Sequence, residues 1–407
     1  MSGGETQARS GAMLPDAVVP GATLGAGETP AVPGAAVPGV VGPGVVGPGV
    51  VGPGSAPPAA LAAFEPTAFE PHPRLAHAHL QTIFGELWPR RLPALHDAWR
   101  AACRREILTL PDGDRVVAYF HLHPDDPGRQ RPVVLHLHGL EGSAEASYQR
   151  GLSAKTFAAG FHSVRLNFRN CGDHEELARG FYFGARTEEV ESALGHLHRD
   201  WGFERILCTG VSLGGNMLLH YLADVGDRPP PWLVGAAAVS PPIEMSDTCE
   251  ALAQGWNRIY DLFFMALLYR KLARKVRLSP GGDEIRPYLR ICRGVRSLRE
   301  FDERITAPLG GYESGAAYYR AGSSGPRLDF IRVPTLIVHA QDDPFLPFAM
   351  FERHGERIAG NPWLRTAFPR HGGHVGFWSA PGYPRPEPWC DERWSENEAV
   401  RFLRAIS

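Results

Sequence analysis

CTGVSLGGNML, residues 208–218, places one serine, Ser212, between Gly210 and Gly214, with an apolar run before it and an apolar helical pattern after it. A serine at a strand-to-helix junction must adopt a strained turn. Small residues two before and two after it let strand and helix approach closely, which leaves the hydroxyl in the open. The GxSxG pattern alone is weak, because glycine and serine are common, so its weight comes from the strand before it and the helix after it. Its alternative is a structural turn serine. The choice turns on whether the rest of the chain supplies a base, a carboxylate and an oxyanion site in workable order.

The flanking pattern supplies the scaffold. Residues 105–110 (REILTL) and 115–122 (RVVAYFHL) read as strands joined by the turn signal Pro111-Asp112-Gly113-Asp114. PVVLHLHG, 132–139, reads as a buried strand. A helix is expected near 148–159, a strand at 162–168, a helix near 187–201, a strand at 205–209, a helix at 214–224 and a strand at 233–240. Strands alternating with helices imply βαβ units and a mostly parallel sheet. The alternation stops after Pro241: residues 245–305 read as helical, and an all-helical insertion at about 245–325 fits a cap over a site. The basic run RKLARKVRL, 270–278, is expected to be a solvated helix face. A strand at 333–340, a helix near 347–359, a short strand near 364–368 and a last helix near 395–406 complete the pattern.

An alcohol needs an adjacent base to act as a nucleophile at neutral pH. His374, in the glycine-rich HGGHVGF of residues 371–377, follows the last expected strand and is the candidate, with His371 as its rival. The base in turn needs a carboxylate to hold its tautomer. Asp343 follows the strand VPTLIVHA and is the candidate acid, with Asp342 as the alternative. The oxyanion donors are expected to be the backbone N–H groups of Leu213, just after the serine, and Leu140, in the loop His138-Gly139-Leu140-Glu141-Gly142. Gly139 would let that loop come close to the substrate, and His138 is expected to support the loop rather than bind a ligand.

Other chemistries find little support. His136 and His138 alternate along a strand and face opposite ways, and His72, His77 and His79 lack ligand spacing, so no metal site is expected. No GxxxxGK[ST] or GxGxxG stretch is present, which leaves nucleotide chemistry without a motif. The 407 residues carry a net charge of −2, with 43% apolar and 21% charged residues, so nothing draws the chain toward nucleic acid. Six cysteines (Cys103, Cys171, Cys208, Cys249, Cys292, Cys390) show no CxxC spacing, which fits a reducing compartment. No basic segment leads into an apolar one at the start, and the longest apolar runs, such as 262–268, are too short to span a bilayer. A cytoplasmic protein is expected, with peripheral contact to a membrane surface left open. Residues 1–60, with VVGPG three times in tandem at 40–54, are expected to form a disordered tail, because glycine and proline offer little to pack.

With these motifs in hand, the chain resembles the YheT-like branch of the α/β-hydrolases, whose mammalian relatives are abhydrolase-domain esterases and phospholipases. The resemblance rests on His79-Leu80-Gln81-Thr82, LPDGD (110–114), HGLEGS (138–143), Asn167-Phe168-Arg169-Asn170-Cys171-Gly172, GVSLGGNML (210–218), DDPF (342–345) and HGGHVGF. It covers roughly residues 64–405. It implies an α/β-hydrolase fold, a mostly parallel central sheet with helices on both faces and a helical cap. It also implies a serine carboxylesterase or lipase-like hydrolase without a cofactor, with the triad on Ser212, Asp343 and His374 in that chain order. One departure is Asn170, where the family often has glycine. The leading expectation is hydrolysis of short- to medium-chain carboxylic esters through an acyl-enzyme. The alternatives are acyl transfer or phospholipase-type action on lipid esters, and a non-catalytic binding module on the same fold.

Overall fold

A computed structural model describes residues 57–87 and 95–407. The VVGPG repeats, and with them most of the expected tail, lie outside the described residues. Eight strands form one sheet: β1 (Cys103–Thr109), β2 (Arg115–His121), β3 (Val133–Leu137), β4 (His162–Leu166), β5 (Ile206–Val211), β6 (Leu233–Val239), β7 (Thr335–Val338) and β8 (Leu364–Ala367). Their order is β1-β2-β4-β3-β5-β6-β7-β8. β2 runs antiparallel to both its neighbours, and every other pair is parallel.

Local chemistry explains these elements. β3, β4 and β5 are buried at every position; β3 and β5 accordingly read as mainly apolar runs, while β4 buries His162, Ser163 and Arg165 as well. The β1–β2 hairpin closes where Gly113 takes φ 86, and Leu110 N–H donates to the Asp114 carbonyl at 2.8 Å. One face of the sheet is covered by the helices Ser147–Ala158 and Trp394–Ile406, the other by Glu188–Arg199 and Leu213–Val225. Two large apolar clusters result, one on each side of the sheet.

Between β6 and β7 the described chain is helical throughout, from Met245–Leu252 to the 3₁₀ turn Gly325–Phe330. Its longest member is Arg258–Leu278. No described helix is long and apolar enough to cross a membrane. The single helix expected near 347–359 is two short ones, Ala349–Arg353 and Gly355–Gly360. They break at His354, whose ring is held by Glu244 at 2.6 Å.

The basic run departs from expectation. Lys271 is 6% exposed and Lys275 is fully buried. Lys275 Nζ donates to Asn170 Oδ1 at 2.9 Å, to the Gly180 carbonyl at 2.7 Å and to the Ala178 carbonyl at 3.1 Å. Burial lowers its ammonium to a pKa of about 8. The helix therefore turns two of its cations inward, where loops of the main domain supply acceptors. A solvated face was the wrong expectation because those acceptors lie far away in sequence. Asn170 sits at φ 60, a left-handed conformation that asparagine tolerates better than most residues.

Candidate active site

The parallel strands deliver their loops to one edge, outside their carboxyl ends. β5 ends at Val211, and Ser212 follows with φ 52 and ψ −125 before the helix Leu213–Val225 begins. The two glycines are required by space. A Cβ on Gly210 would lie 2.5 Å from the Gly214 carbonyl oxygen, and one on Gly214 would lie 2.4 Å from the His138 carbonyl oxygen. Helix, strand and the loop after β3 thus touch through bare backbone, and the serine hydroxyl is left facing the cavity beside them.

The structure brings the three expected side chains together. Ser212 Oγ lies 3.0 Å from His374 Nε2, and His374 Nδ1 lies 2.8 Å from Asp343 Oδ2. Asp343 is aimed by two backbone donors, Phe345 N–H at 2.8 Å and Leu346 N–H at 3.1 Å, both onto Oδ1. The rivals pair with each other elsewhere: Asp342 Oδ2 meets the half-exposed His371 at 3.1 Å, and Asp342 Oδ1 accepts from Gly373 N–H at 2.9 Å.

The two expected oxyanion donors differ from their neighbours. Gly139 N–H donates to the Tyr148 hydroxyl and Glu141 N–H to the Tyr182 hydroxyl. Among the described residues, Leu140 N–H and Leu213 N–H have no protein acceptor, and both residues line the cavity at Ser212. His138 is a strut. It is fully buried, its Nδ1 lies 2.8 Å from the Gly139 carbonyl and its Nε2 accepts Phe168 N–H at 3.2 Å. Burial pushes its pKa down to about 3, so the ring is neutral. His136 is likewise buried and bonded to Thr209 and Ser163.

The His374 loop is held by an element to which the sequence pattern assigned no role. His374 N–H donates to Thr82 Oγ1 at 2.9 Å, and Gln81 clamps Trp378 through its backbone N–H (2.7 Å) and carbonyl (3.1 Å). Both belong to the helix Ala78–Leu87. A Cβ on Gly376 would lie 2.3 Å from the Gln81 carbonyl oxygen and one on Gly373 would meet the Ala78 carbonyl oxygen, so these two glycines serve close packing against that helix. Their clustering was the signal; its partner was not readable. Val375 at φ 63 and Phe377 at φ 42 show how tightly the loop is wound.

Two cavities meet at Ser212 and His374. The inner one, about 90 Å³, runs under the cap past Leu213, Met245, Leu252, Phe301 and Asp302. The outer one, about 520 Å³, is bordered by Tyr148, Ile259, Tyr260 and Phe263. All six cysteines are free. Among the described residues no group of three His, Cys, Asp or Glu side chains gathers as a metal site.

A sheet with one antiparallel strand, a serine on a strained strand-to-helix turn and a helical cap define an α/β-hydrolase. Residues 132–381 match the family model described as alpha/beta hydrolase fold. The chain belongs to that family and, within it, to the YheT-like branch. It is 33% identical over 318 residues to the Escherichia coli (strain K12) protein named "Putative esterase YheT", covering 78% of this chain and 89% of that one. It is 28% identical over 296 residues to human "Phospholipase ABHD3", covering 71% of this chain and 69% of that protein. Over 300 residues it is 27% identical to the Saccharomyces cerevisiae "Monoacylglycerol lipase", covering 70% of this chain and 63% of that protein.

Proposed function

We propose that the protein is a serine carboxylesterase that cleaves carboxylic esters of short to medium acyl chain through an acyl-enzyme. The observation that carries this reading is the unbroken contact chain Ser212–His374–Asp343, at 3.0 Å and 2.8 Å, beside two unpartnered backbone N–H groups. Ser212 Oγ attacks the ester carbonyl as His374 Nε2 takes its proton. The oxyanion is held by Leu140 and Leu213 N–H. Collapse of the tetrahedral intermediate breaks the bond to the alkoxy oxygen, and His374 returns the proton to the leaving alcohol. Water then attacks the acyl-serine by the same route and releases the acid. Asp343 holds the imidazole tautomer and stabilises its charged form.

The inner cavity supports a short to medium acyl group, since its 90 Å³ corresponds to roughly six to nine water sites. The outer cavity is larger and apolar, which suits a bulky alcohol portion and favours lipid esters as a second reading. The names of the phospholipase and monoacylglycerol lipase relatives accord with that reading.

The test is the initial rate on p-nitrophenyl esters from acetate to palmitate, for wild type beside Ser212→Ala. The expected result is an optimum below palmitate and a loss of about 10⁴-fold or more in kcat for the variant. Full activity in Ser212→Ala would overturn the nucleophile.

A further inference from the structure

Asp302 is an acid that the mechanism does not use, yet it borders the same inner cavity as Ser212 and His374. It is 7% exposed and opens a single π-helical turn, Asp302–Thr306, in the middle of the cap. Turns of this kind are often retained at functional positions. Around it the cavity is mainly apolar, with Leu252, Leu298 and Phe301 among its walls.

Three donors reach the carboxylate. Thr306 Oγ1 donates to Oδ1 at 2.6 Å, the Tyr319 hydroxyl to Oδ2 at 3.0 Å, and the Cys249 thiol to Oδ2 at 3.8 Å. All three are uncharged. Among the described residues no lysine, arginine or histidine forms an ion pair with Asp302, and burial pushes its carboxyl up to about 6. A carboxylate oxygen has two acceptor sites, so Oδ1 keeps one open.

A purely structural strut would not need this charge. An asparagine or glutamine oxygen could accept from Thr306 and Tyr319 without the cost of burying an acid far from a cation. What the acid adds is a strong acceptor on the cap side of an apolar acyl chamber. We propose that Asp302 selects acyl groups that carry a hydroxyl away from the ester carbonyl, by accepting a hydrogen bond from that hydroxyl. The hydroxyl, rather than an ammonium, fits the apolar walls, where a second charge would have to be desolvated. This inference rests on the carboxylesterase reading and assigns the inner cavity to the acyl chain.

The experiment compares kcat/KM for p-nitrophenyl esters of ω-hydroxy acids with the matching methyl-terminated esters, from six to ten carbons. The expected result for wild type is a preference of about tenfold for the hydroxylated ester at one chain length, in line with a hydrogen bond to a charged group. In Asp302→Leu the ratio falls to about one, and in Asp302→Asn it falls to an intermediate value. The ratio compares two substrates on one protein, so partial unfolding of a variant does not shift it. A wild-type ratio near one at every length overturns the inference, as does a tenfold ratio that survives Asp302→Leu. If instead no ester of either series is turned over in a Ser212-dependent way, the carboxylesterase reading itself has failed.

Discussion

Lys271 Nζ and Glu141 Oε1 lie 2.7 Å apart, and their contact joins the long cap helix to the loop that carries Leu140 N–H. Both side chains are buried. Glu141 follows Leu140 directly, at φ 54, and its backbone N–H and carboxylate are both bonded to the Tyr182 hydroxyl. The ammonium also sits 4.4 Å from the Tyr182 ring centroid and 3.1 Å from Cys171 Sγ. The cap therefore reaches the proposed oxyanion loop through one buried cation.

Removing that cation should cost both stability and rate. Lys271→Met leaves Glu141 buried without its partner, and losses of about 3–5 kcal/mol are typical for such a change. Adding Glu141→Gln removes the orphaned charge and should return most of that stability in a urea titration. The loop would still lack its tether, so kcat in the double variant should stay at least tenfold below wild type while KM changes less. Recovery of both stability and kcat in the double variant would reduce Lys271 to a packing role.

Asp342 and Asp343 are adjacent but make different contacts, and their amide variants should separate accordingly. Asp343→Asn presents the wrong hydrogen-bonding partner to His374 Nδ1, and kcat should fall by about 10⁴-fold. Asp342→Asn disturbs only the bonds to Gly373 N–H and His371, so a change within about tenfold is expected. Equal losses in the two variants would show that the acid assignment is wrong.

Gly214→Ala is expected to destabilise the fold. The added methyl would meet the His138 carbonyl oxygen at 2.4 Å and the Leu137 carbonyl oxygen at 2.8 Å, both backbone atoms of β3 and its loop. Backbone there cannot move without disturbing the central sheet, so a cost of about 1–3 kcal/mol or more follows. The check is the urea midpoint against wild type. An unchanged midpoint would mean that β5, its helix and the β3 loop are less tightly joined than the distances imply.

The central strands were legible because burial on both faces turns them into apolar runs that no other element explains, such as 132–139 and 205–209. That the side chains of Ser212, Asp343 and His374 would meet was legible because each follows a strand at the same sheet edge. The helix Ala78–Leu87 was not, since its hold on the His374 loop joins opposite ends of the chain. Lys271 and Lys275 misled for a related reason. A run of basic residues signals solvent unless the acceptors are visible, and theirs sit in loops roughly a hundred residues earlier. Asp302 lies in DERIT, which reads as an ordinary charged helix turn. Only the cap's packing removes it from water.

That removal gives Asp302 a signature in the pH dependence of stability. Its folded pKa, about 6, lies above the ordinary value of 3.8, mainly through burial. Below about pH 4 the carboxyl is protonated in both states. Between about pH 4 and 6 the native protein holds its proton while the unfolded chain gives it up. Stability contributed by this group therefore falls as pH rises through that window and levels off above it. The shift of about two units corresponds to roughly 3 kcal/mol. Asp302→Asn cannot titrate, and the groups that face the carboxyl (Cys249, Thr306 and Tyr319) do not change charge below pH 7. The variant's stability relative to wild type should therefore improve from about pH 4 to pH 6 and level off toward pH 7, whatever its absolute value. Urea unfolding of both proteins at intervals across that range measures the difference. Parallel curves would mean that the carboxylate is already compensated in the folded protein, and the case for a hydroxyl partner in the acyl chamber would weaken with it.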